Sequence, residues 1–444
     1  MTARYCIVGA GPCGLLAARA LRQAGIAFDH FERNGDVGGI WDINLPDSPM
    51  YDSAHFISSR FTSSFYGLDM PDDFPDYPSH RDIFRYIGDF ADKFDLRSGI
   101  NFNQPVERAE PIGDEAEGGW RVTLGNGETR HYEGVIAAPG VTWLPHIPAY
   151  PGIEEFAGEV RHSVTYRSPK EFADKRVLII GAGNSGVDIA CDAAAAANMA
   201  AISLRRGYYF FPKHVFGVPI DCLSTDMPAL PPGTQLPDDF GDLLDLLVGD
   251  VTRLRLPTPD HPPFASHPIM NTQILHYLAH GDIAAKGAVD HFDRDGVVFA
   301  DGSRMDADLV LLATGYECRV SFIDDRLFNW NGTRPDLYMN IFHRELRGLS
   351  VVGFVEFASA GYQRFDEMAS LVAMDAALRE KGGSSYADWQ EMKRHDTPDL
   401  RGGHSYIASD RHANYVDVVT YRREIERIRT KFSWPAPAEL FGGS

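Results

Sequence analysis

The stretch Tyr5–Gly14, written YCIVGAGPCG, decides the fold of this chain. Residues of strand length run into a Gly-x-Gly-x-x-Gly motif, and a helix-like stretch follows from Leu15 to Ala24. The first glycine permits a tight turn, the second lets backbone N–H groups approach a phosphate, and the third lets the helix pack closely on the strand. The pattern predicts an α/β unit that holds a dinucleotide pyrophosphate, with candidate contacts at Gly9, Gly11, Pro12, Cys13 and Gly14.

A second copy of this pattern lies at Val177–Gly186, written VLIIGAGNSG, and a helix-like stretch again follows it. One such motif is weak evidence, because it arises by chance in glycine-bearing loops. Two copies, each set between a strand and a helix, predict two dinucleotides and electron transfer between them. The candidate contacts of the second copy are Gly181, Gly183, Asn184, Ser185, Gly186 and, further along the helix, Asp188.

The residue that ends the second strand of each unit distinguishes the two dinucleotides. Glu32 closes the strand Ala27–Glu32, eighteen residues after Gly14, where a carboxylate can accept hydrogen bonds from both ribose hydroxyls. Such an acid repels a 2′-phosphate, so the first glycine motif and its strand and helix, here called the first cradle, favour FAD or NAD over NADP. At the same position the second unit has Arg205-Arg206, whose guanidinium groups suit a 2′-phosphate and favour NADPH over NADH.

A further glycine turn, Gly38-Gly39-Ile40-Trp41, follows the first unit. It could let the backbone pass close to a flavin nucleotide, which makes Gly39, Ile40 and Trp41 candidate contacts. An ordinary turn beside a core tryptophan stays open as the alternative.

Beyond this turn the sequence predicts an amphipathic helix from about Arg81 to Phe94, followed by strands at Trp120–Leu124 and Gly134–Ala138. Gly125-Asn126-Gly127 is expected to supply a hairpin turn before the second of these strands.

Domain boundaries are expected where prolines cluster. A proline-rich hinge ends at Gly152, so residues 1–155 are assigned to a first domain. Residues 156–308 form the second domain, in which the proline-rich stretch 207–268 is predicted to be a lid or an inserted helical subdomain. The strand Asp308–Leu312 is expected to return the chain to the first domain, which residues 309–444 complete. The predicted fold class is α/β, with two Rossmann-like dinucleotide-binding domains, one inserted into the other.

Composition excludes several classes of function. The 444 residues are 44% hydrophobic and 23% charged, as in an ordinary globular protein, and carry a net charge of −20. This charge argues against nucleic acid or anionic lipid as a partner, and no run of roughly 18 apolar residues predicts a membrane span. Five cysteines without Cys-x-x-Cys, and no leader before Tyr5, indicate a reduced cytoplasmic compartment, and no metal site is expected.

Between the two cradles the sequence resembles a known family. The pattern Phe156-x-Gly158-x-x-x-His162-x-x-x-Tyr166 matches the fingerprint of flavin-containing monooxygenases, which are class B flavoprotein monooxygenases. The stretch LATGY at Leu312–Tyr316 resembles the second hallmark of the family. Segments at Gly38–Trp41 and Arg411–Asp417 also look like family segments, so the resemblance spans nearly the whole chain.

The resemblance implies FAD in the larger domain and NADPH in the smaller, inserted one. It implies that NADPH reduces the flavin, that O₂ then gives a C4a-hydroperoxide sheltered by NADP⁺, and that a nitrogen or sulfur of a small amine or sulfide takes the oxygen. Thr314 and Gly315 are then candidate FAD contacts. His162 is expected to fix the linker, the segment Phe156–Tyr166 between the two glycine motifs, by hydrogen bonding rather than to transfer protons. Phe156 and Gly158 are expected to serve packing and close backbone approach. The expected partners are a small-molecule substrate and O₂, and a homodimer stays open.

Several features depart from the family, and two of them bear on function. Eukaryotic members carry a Thr-Asn pair near the flavin, after the segment that corresponds to Tyr51–Phe56, and the Asn is absent here. Ser58 and Ser59 are therefore the candidate catalytic residues, as smaller hydrogen-bonding groups near flavin and NADP. The sequence also ends without an apolar anchor, which favours a soluble, bacterial-type member over the membrane-bound animal enzymes.

Three alternatives compete with N- or S-oxygenation. Baeyer–Villiger monooxygenases, which act on ketones, usually end the linker motif in Trp-Pro, whereas this chain has Tyr166-Arg167. An uncoupled flavoprotein, comparable to an NADPH oxidase, stays open because the Asn is absent. A pyridine-nucleotide disulfide reductase needs two redox cysteines near the flavin, and the sequence contains neither Cys-x-x-Cys nor Cys-x-x-x-x-Cys.

Overall fold

The computed structural model describes residues 4–223, 235–237 and 239–441, and the chain divides into two compact units. Unit 1 comprises Met1–Asp42, Arg60–Leu144 and Glu317–Ser444, and unit 2 comprises Ile43–Ser59 and Pro145–Tyr316. The chain therefore leaves unit 1 twice and returns to it twice.

Many short strands and nine α-helices occur in the described ranges. The strands in chain order are β1 (Tyr5–Val8), β2 (Phe28–Phe31), β3 (Ile100–Asn101), β4 (Val106–Pro111), β5 (Trp120–Leu124), β6 (Thr129–Tyr132), β7 (Gly134–Ala137), β8 (Leu144–Pro145), β9 (Glu159–His162), β10 (Arg176–Ile180), β11 (Met199–Ser203), β12 (His214–Val215), β13 (Val218–Pro219), β14 (Ile283–Lys286), β15 (Val289–Phe292), β16 (Gly296–Phe299), β17 (Arg304–Asp306), β18 (Leu309–Leu312), β19 (Tyr316–Glu317), β20 (Trp330–Asn331), β21 (Arg334–Pro335), β22 (Leu337–Tyr338), β23 (Phe342–His343) and β24 (Leu349–Val351). The helices are α1 (Pro12–Gln23), α2 (His80–Lys93), α3 (Asn184–Ala196), α4 (Phe240–Val248), α5 (Gln273–His280), α6 (Tyr362–Lys381), α7 (Gly383–His395), α8 (Val418–Phe432) and α9 (Pro437–Phe441).

A seven-stranded sheet forms the centre of unit 1, in the order β22-β23-β24-β7-β1-β2-β3. β24, β7, β1, β2 and β3 run parallel, whereas β23 is antiparallel to both of its neighbours. In this register Val8 lies beside Phe31 and Ala137, so the loops that follow β1, β2 and β7 meet at one edge of the sheet. β1 and β7 are almost wholly buried, because central parallel strands are covered on both faces.

A parallel five-stranded sheet forms the centre of unit 2, in the order β14-β11-β10-β18-β9. Its register sets Ile180 beside Ser203 and Leu312, so the loops after β10, β11 and β18 also share one edge. Side chains from α3, α5 and the sheet build a core that includes Val187, Ile274 and Leu309. Each unit therefore repeats the arrangement in which parallel strands direct their loops to a common edge.

Local elements agree closely with the sequence pattern. The predicted helix from about Arg81 to Phe94 is α2, which begins one residue earlier because Ser79 and Asp82 form a capping box at its N-terminus. The hairpin turn at Gly125-Asn126-Gly127 joins β5 to β6, not to Gly134–Ala138 as expected. The sequence prediction missed β6 because Thr129–Tyr132 is polar and mostly exposed.

The predicted domain boundaries at residues 155 and 308 require correction. β18 does not return the chain to the first domain, because it pairs with β10 and β9 at the centre of unit 2. The return to unit 1 comes at Glu317, and the excursion begins after Leu144. Residues 43–59 also belong to unit 2, since Tyr51 and Ala54 are buried in its core.

The predicted insertion at 207–268 contains β12, β13, α4 and a 3₁₀ helix at Val251–Leu254. This agrees with a helical insertion, while residues 224–234 and 238 of the predicted lid lie outside the described residues. In the described part of the chain, no helix combines the length and apolar character that crossing a bilayer requires.

Candidate functional site

The first glycine loop joins β1 to α1 at the carboxyl edge of the unit 1 sheet. Gly9 has a φ of +103°, and a Cβ atom there would lie 2.4 Å from the carbonyl oxygen of Ala138. A Cβ atom on Gly14 would lie 1.8 Å from the carbonyl oxygen of Gly9. Both positions therefore require glycine, one for the turn and one for the close packing of helix on strand.

The second glycine loop, between β10 and α3, repeats this geometry. Gly181 has a φ of +107°, and its Cβ would lie 2.4 Å from the carbonyl oxygen of Ala313. A Cβ on Gly186 would lie 2.1 Å from the carbonyl oxygen of Gly181. The two loops are built alike although they belong to different units.

Both loops fit the pyrophosphate of a dinucleotide. Gly11 and Gly183 are the N-cap residues of α1 and α3, and neither provides a side-chain cap. Backbone N–H groups at a helix N-terminus attract an anion, and a phosphate approaches closely where no Cβ stands in the way. The geometry suits one pyrophosphate group in each unit.

Two further segments of unit 1 pack on the first loop. The Gly38 N–H donates to the carbonyl oxygen of Ala10 at 3.1 Å, and a Cβ on Gly11 would lie 3.5 Å from the Cα of Gly39. This turn leads into the 3₁₀ helix Gly39–Trp41, where the sequence predicted a close backbone passage. Gly353, which the sequence analysis missed, has a φ of +99°, and its Cβ would lie 2.9 Å from the Sγ of Cys13.

Two residues from β2 and its end support the first loop. Glu32 is 6% exposed, and its carboxylate accepts from the N–H groups of Ala10 at 2.6 Å and Asn34 at 2.8 Å. His30 is fully buried, and its Nε2–H donates to the carbonyl oxygen of Gly9 at 2.8 Å. Burial lowers the pKa of His30 to about 4. Glu32 thus lies against the phosphate loop itself, and its oxygens keep lone pairs that can accept from ribose hydroxyls.

Arg205 and Arg206 lie just beyond β11, at the edge where the second loop lies. Arg205 is exposed and Arg206 is partly exposed. In the register of the two sheets Leu204 is the counterpart of Glu32, and the two arginines follow it by one and two residues. The two units therefore carry opposite charges just after the second strand of each glycine-loop unit, at positions that differ by one or two residues.

Two predicted contacts of the second dinucleotide have protein partners instead. The Asn184 Nδ2 donates to the carbonyl oxygen of Pro268 at 3.0 Å, and its Oδ1 accepts from the Met270 N–H at 2.8 Å. Asp188 accepts from Asn271 at 2.6 Å and from the hydroxyl of Tyr51 at 3.2 Å. Burial raises the pKa of Asp188, and the bonds from Asn271 and Tyr51 oppose that shift.

The LATGY hallmark lies in unit 2, next to the second glycine loop. The carbonyl oxygen of Gly315 accepts from the His162 Nε2–H at 3.0 Å and from the His146 N–H at 2.9 Å. Thr314 donates through its hydroxyl to the carbonyl oxygen of His146. Thr314 and Gly315 were expected to contact FAD on the strand returning to the first domain, but that strand is part of the unit 2 sheet. Here they hold the linker.

His162 makes hydrogen bonds through both ring nitrogens. The Nδ1 accepts from the Val164 N–H at 3.1 Å, so the proton resides on Nε2 and points to Gly315. Burial lowers the pKa of His162, which keeps the ring neutral. Both ring nitrogens are thus occupied by backbone groups, one at Val164 and one at Gly315.

The other fingerprint residues pack inside unit 2. The Phe156 ring meets Phe292 edge-on at 5.5 Å, and a Cβ on Gly158 would lie 2.5 Å from the Phe156 ring. The fully buried Tyr166 donates its hydroxyl to Asp192 at 2.8 Å. These residues build the start of unit 2 and do not form a reactive cluster.

Arg167, which follows the fingerprint, joins the linker to the 43–59 segment. Its guanidinium donates to the carbonyl oxygens of Val164 at 2.7 Å, Pro46 at 3.0 Å and Leu45 at 3.2 Å. Its backbone N–H donates to the carboxylate of Glu171 at 2.7 Å. The sequence singled out Arg167 only as a departure from the Trp-Pro motif, and the structure explains what the arginine does.

The two candidate catalytic serines lie at the end of the 43–59 segment. Ser59 is fully buried, its N–H donates to Asp221 at 2.8 Å, and its hydroxyl lies 3.6 Å from the Sγ of Cys222. Ser58 is partly exposed. The structure therefore places Ser59 in the packing of unit 2, and of the two serines only Ser58 has an accessible side chain.

A buried ion pair anchors the helix of the first cradle, and the sequence analysis missed it. Arg19 of α1 and Asp366 of α6 are 2% and 0% exposed and form a salt bridge. The carboxylate also accepts from the Tyr66 N–H at 2.9 Å, and the Arg19 guanidinium lies 3.8 Å from the centre of the Phe441 ring. No local pattern could reveal a contact between residues so far apart in the chain.

The fold is that of the class B flavin monooxygenases. A cyclohexanone monooxygenase from Rhodococcus sp. Phi1, in a crystal structure bound to NADP⁺, superimposes with a TM-score of 0.69 at 17% identity, over 96% of this chain and 97% of the other. Residues 2–367 match the family described as flavin-binding monooxygenase-like, so the chain belongs to that family. Mouse (Mus musculus) flavin-containing monooxygenase 5 is 31% identical over 373 residues, 80% of this chain and 69% of the relative. Mouse dimethylaniline monooxygenase [N-oxide-forming] 2 is 30% identical over 384 residues, 80% of this chain and 70% of the relative.

Members of this family use FAD and NADPH. The residues present fit two such groups, because each unit supplies a glycine loop in which a Cβ would collide with backbone, at the N-terminus of a helix that lacks a side-chain cap. The chain is accordingly an oxidoreductase of the flavin-dependent monooxygenase type.

Proposed function

We propose that this protein is an FAD- and NADPH-dependent monooxygenase that oxygenates a nitrogen or sulfur atom of a small amine or sulfide. One observation carries the pairing of cofactors. Two glycine loops of the same geometry are followed by Glu32 in unit 1 and by Arg205-Arg206 in unit 2. A carboxylate suits a ribose with free hydroxyls, and paired guanidinium groups suit a 2′-phosphate.

On this basis unit 1 is the FAD domain and unit 2 is the NADPH domain, both of the Rossmann type. The contacts with FAD are assigned to the loop from Gly9 to Gly14, to Glu32 and to the turn Gly39–Trp41. Those with NADPH are assigned to the loop from Gly181 to Gly186 and to Arg205 and Arg206. Asn184 and Asp188 act indirectly, since their side chains hold the 268–271 segment.

Bound FAD, once reduced by NADPH, supplies the activation of O₂. The protein itself then has to bind and orient the cofactors and the substrate and to exclude water from them. The described loops serve that role through backbone groups, and His30 supports the first loop through its bond to the Gly9 carbonyl oxygen. Ser58 is the accessible one of the two serines proposed to lie near the reacting atoms.

The linker favours amines and sulfides over ketones as substrates. A proline at position 167, as in the Baeyer–Villiger motif, has no N–H to donate to Glu171 and no guanidinium to reach Leu45 and Pro46. The arginine thus belongs to a different local structure of the linker and of the 43–59 segment. The relative that forms N-oxides, at 30% identity, also supports nitrogen as an acceptor of oxygen.

The test is a product assay on the FAD-loaded protein with NADPH and three substrates in turn: N,N-dimethylaniline, methyl phenyl sulfide and cyclohexanone. We expect the N-oxide or the sulfoxide in proportion to the NADPH consumed, and no lactone from the ketone. Lactone as the main product would establish the Baeyer–Villiger alternative. Hydrogen peroxide equal to the NADPH consumed with every substrate would establish the uncoupled flavoprotein instead.

A further inference from the structure

The loop 257–270 of unit 2 begins against the end of β11, where the candidate 2′-phosphate site lies. A Cβ on Gly207 would lie 2.3 Å from the carbonyl oxygen of Pro257 and 2.4 Å from the nitrogen of Pro259. Gly207 directly follows Arg206 in the chain. The first residues of this loop are therefore in close backbone contact with the arginine pair's own segment.

The other end of the loop is attached to the second glycine motif. Asn184, the first residue of α3, holds the Pro268 carbonyl oxygen at 3.0 Å and the Met270 N–H at 2.8 Å. The loop therefore runs from the arginines to the N-terminus of α3. These are the two places where the phosphates of the second dinucleotide are expected, so the loop borders the adenosine half of that site.

Asp260 is the charged residue that this loop presents near Arg206. Its carboxylate accepts from the His261 Nδ1–H at 2.9 Å, and the His261 Nε2 bonds the hydroxyl of Ser266 at 2.7 Å. The order Asp-His-Ser resembles that of a hydrolytic triad. In such a triad the serine is accessible and the aspartate is buried, and here the opposite holds. Ser266 is 4% exposed, whereas the side chain of Asp260 is 65% exposed. The chain of bonds thus fixes the carboxylate at the surface and does not activate the serine.

The charges of Asp260 and Arg206 act on each other. The hydrogen bond from His261 and, next among the lowering influences, the positive charge of Arg206 hold the pKa of Asp260 below its ordinary value. Asp260 is therefore ionised near neutral pH, within the field of Arg206. A 2′-phosphate arriving at Arg206 brings further negative charge close to that carboxylate, and like charges repel.

We propose that Asp260 is a specificity-determining residue that weakens 2′-phosphate binding at Arg206 and so limits the preference for NADPH over NADH. The proposal rests on the assignment of Arg205-Arg206 to the 2′-phosphate. It adds a second, opposing determinant from a loop more than fifty residues away in the chain. The preference is then set by a balance of one carboxylate against two guanidinium groups.

The test uses 2′,5′-ADP and 5′-AMP, which differ by the 2′-phosphate alone, titrated calorimetrically into the FAD-loaded protein. Asp260→Asn keeps the size of the side chain and an oxygen for His261. We expect it to bind 2′,5′-ADP about three- to tenfold more tightly, with 5′-AMP unchanged, and the gain to shrink at high salt. Asp290→Asn is the matched control, since Asp290 is also exposed and bonds the neighbouring His291 at 2.8 Å, on β15.

Arg206→Ala separates the inference from the function on which it rests. If Arg206→Ala binds both nucleotides as well as the wild type does, the 2′-phosphate site itself is wrong. If Arg206→Ala loses 2′,5′-ADP binding while Asp260→Asn equals the wild type, only the role of Asp260 is overturned. An equal gain from Asp290→Asn would also overturn it, because the effect would then follow net charge and not position.

Discussion

At the residue scale, the cofactor assignment depends on side chains that follow the second strand of each glycine-loop unit, Glu32 after β2 and Arg205 and Arg206 after β11. Glu32 is held by two backbone N–H groups, so its carboxylate has a fixed position beside the first loop. Arg205 and Arg206 reach solvent and are open to a ligand. A fixed acid and two accessible bases are what selection between a ribose and a 2′-phosphate requires.

His30 below the first loop makes the stability of unit 1 depend on pH. Burial lowers its pKa from 6.5 to about 4, so the folded state binds fewer protons than the unfolded state between these values. The contribution of neutral His30 to the free energy of unfolding is therefore fully present above pH 6.5. It is lost as the pH falls towards 4, by on the order of 3 kcal/mol at most. His30→Gln keeps a donor for Gly9 but does not titrate.

Urea unfolding at pH 7.5, 6.0 and 4.5 measures this effect. We expect the wild type to lose more stability than His30→Gln as the pH falls, while His131→Gln, at an exposed position of β6, behaves as the wild type. Parallel pH profiles for the wild type and His30→Gln would show that His30 is not buried in its neutral form.

At the element scale, the two glycine loops allow the cofactors to be assigned separately. Gly14→Ala places a methyl group 1.8 Å from a carbonyl oxygen of the first loop, and Gly186→Ala places one 2.1 Å from a carbonyl oxygen of the second. Overpacking of this kind costs about 1–3 kcal/mol, which shifts the equilibrium of the native loop geometry by about five- to 150-fold. We expect Gly14→Ala to lose FAD on purification, and Gly186→Ala to keep FAD but to raise the KM for NADPH.

Gly287→Ala is the control for both substitutions, because a Cβ there meets no atom within 4 Å. FAD content by absorbance and the KM for NADPH by steady-state assay decide the outcome. Loss of FAD from Gly186→Ala, together with retained FAD and a raised KM for NADPH in Gly14→Ala, would reverse the assignment of the two loops.

The elements of the two cradles could be predicted from the sequence, and other parts of the fold could not. β1 and β10 were predicted directly before the two glycine motifs, and α2 within one residue, because apolar runs and helical periodicity are local signals. β18 was placed in the wrong domain, since a buried apolar strand carries no mark of the sheet it joins. The 43–59 segment was missed for the same reason, because its contacts with unit 2, among them those of Tyr51 and Ala54 in the core, join parts of the chain that are far apart in sequence.

The residues of the candidate site also fall into those that could be predicted from the sequence and those that could not. The glycines were predicted because their spacing follows from the chemistry of phosphate binding. Arg167 and the Arg19–Asp366 pair join distant parts of the chain, so no spacing rule indicates them. Asn184 was predicted as a cofactor contact because it lies inside the motif, yet its side chain is bonded to the 257–270 loop.

At the scale of the whole molecule, one chain carries two units, and each has the same arrangement for binding an anion. Each has parallel strands whose loops share an edge, a glycine turn with a φ above +100°, and a helix that starts there. The family to which the chain belongs pairs FAD with NADPH and reacts with O₂. We infer that electrons from NADPH are used to place one oxygen atom of O₂ on a substrate.

Labelling with ¹⁸O₂ follows the fate of both oxygen atoms. The FAD-loaded protein is supplied with NADPH, ¹⁸O₂ and methyl phenyl sulfide or N,N-dimethylaniline, and the products are analysed by mass spectrometry. We predict one ¹⁸O atom in the sulfoxide or N-oxide, the other in water, and one NADPH oxidised for each product formed. Unlabelled organic substrate together with one ¹⁸O-labelled hydrogen peroxide per NADPH would contradict the proposed monooxygenase.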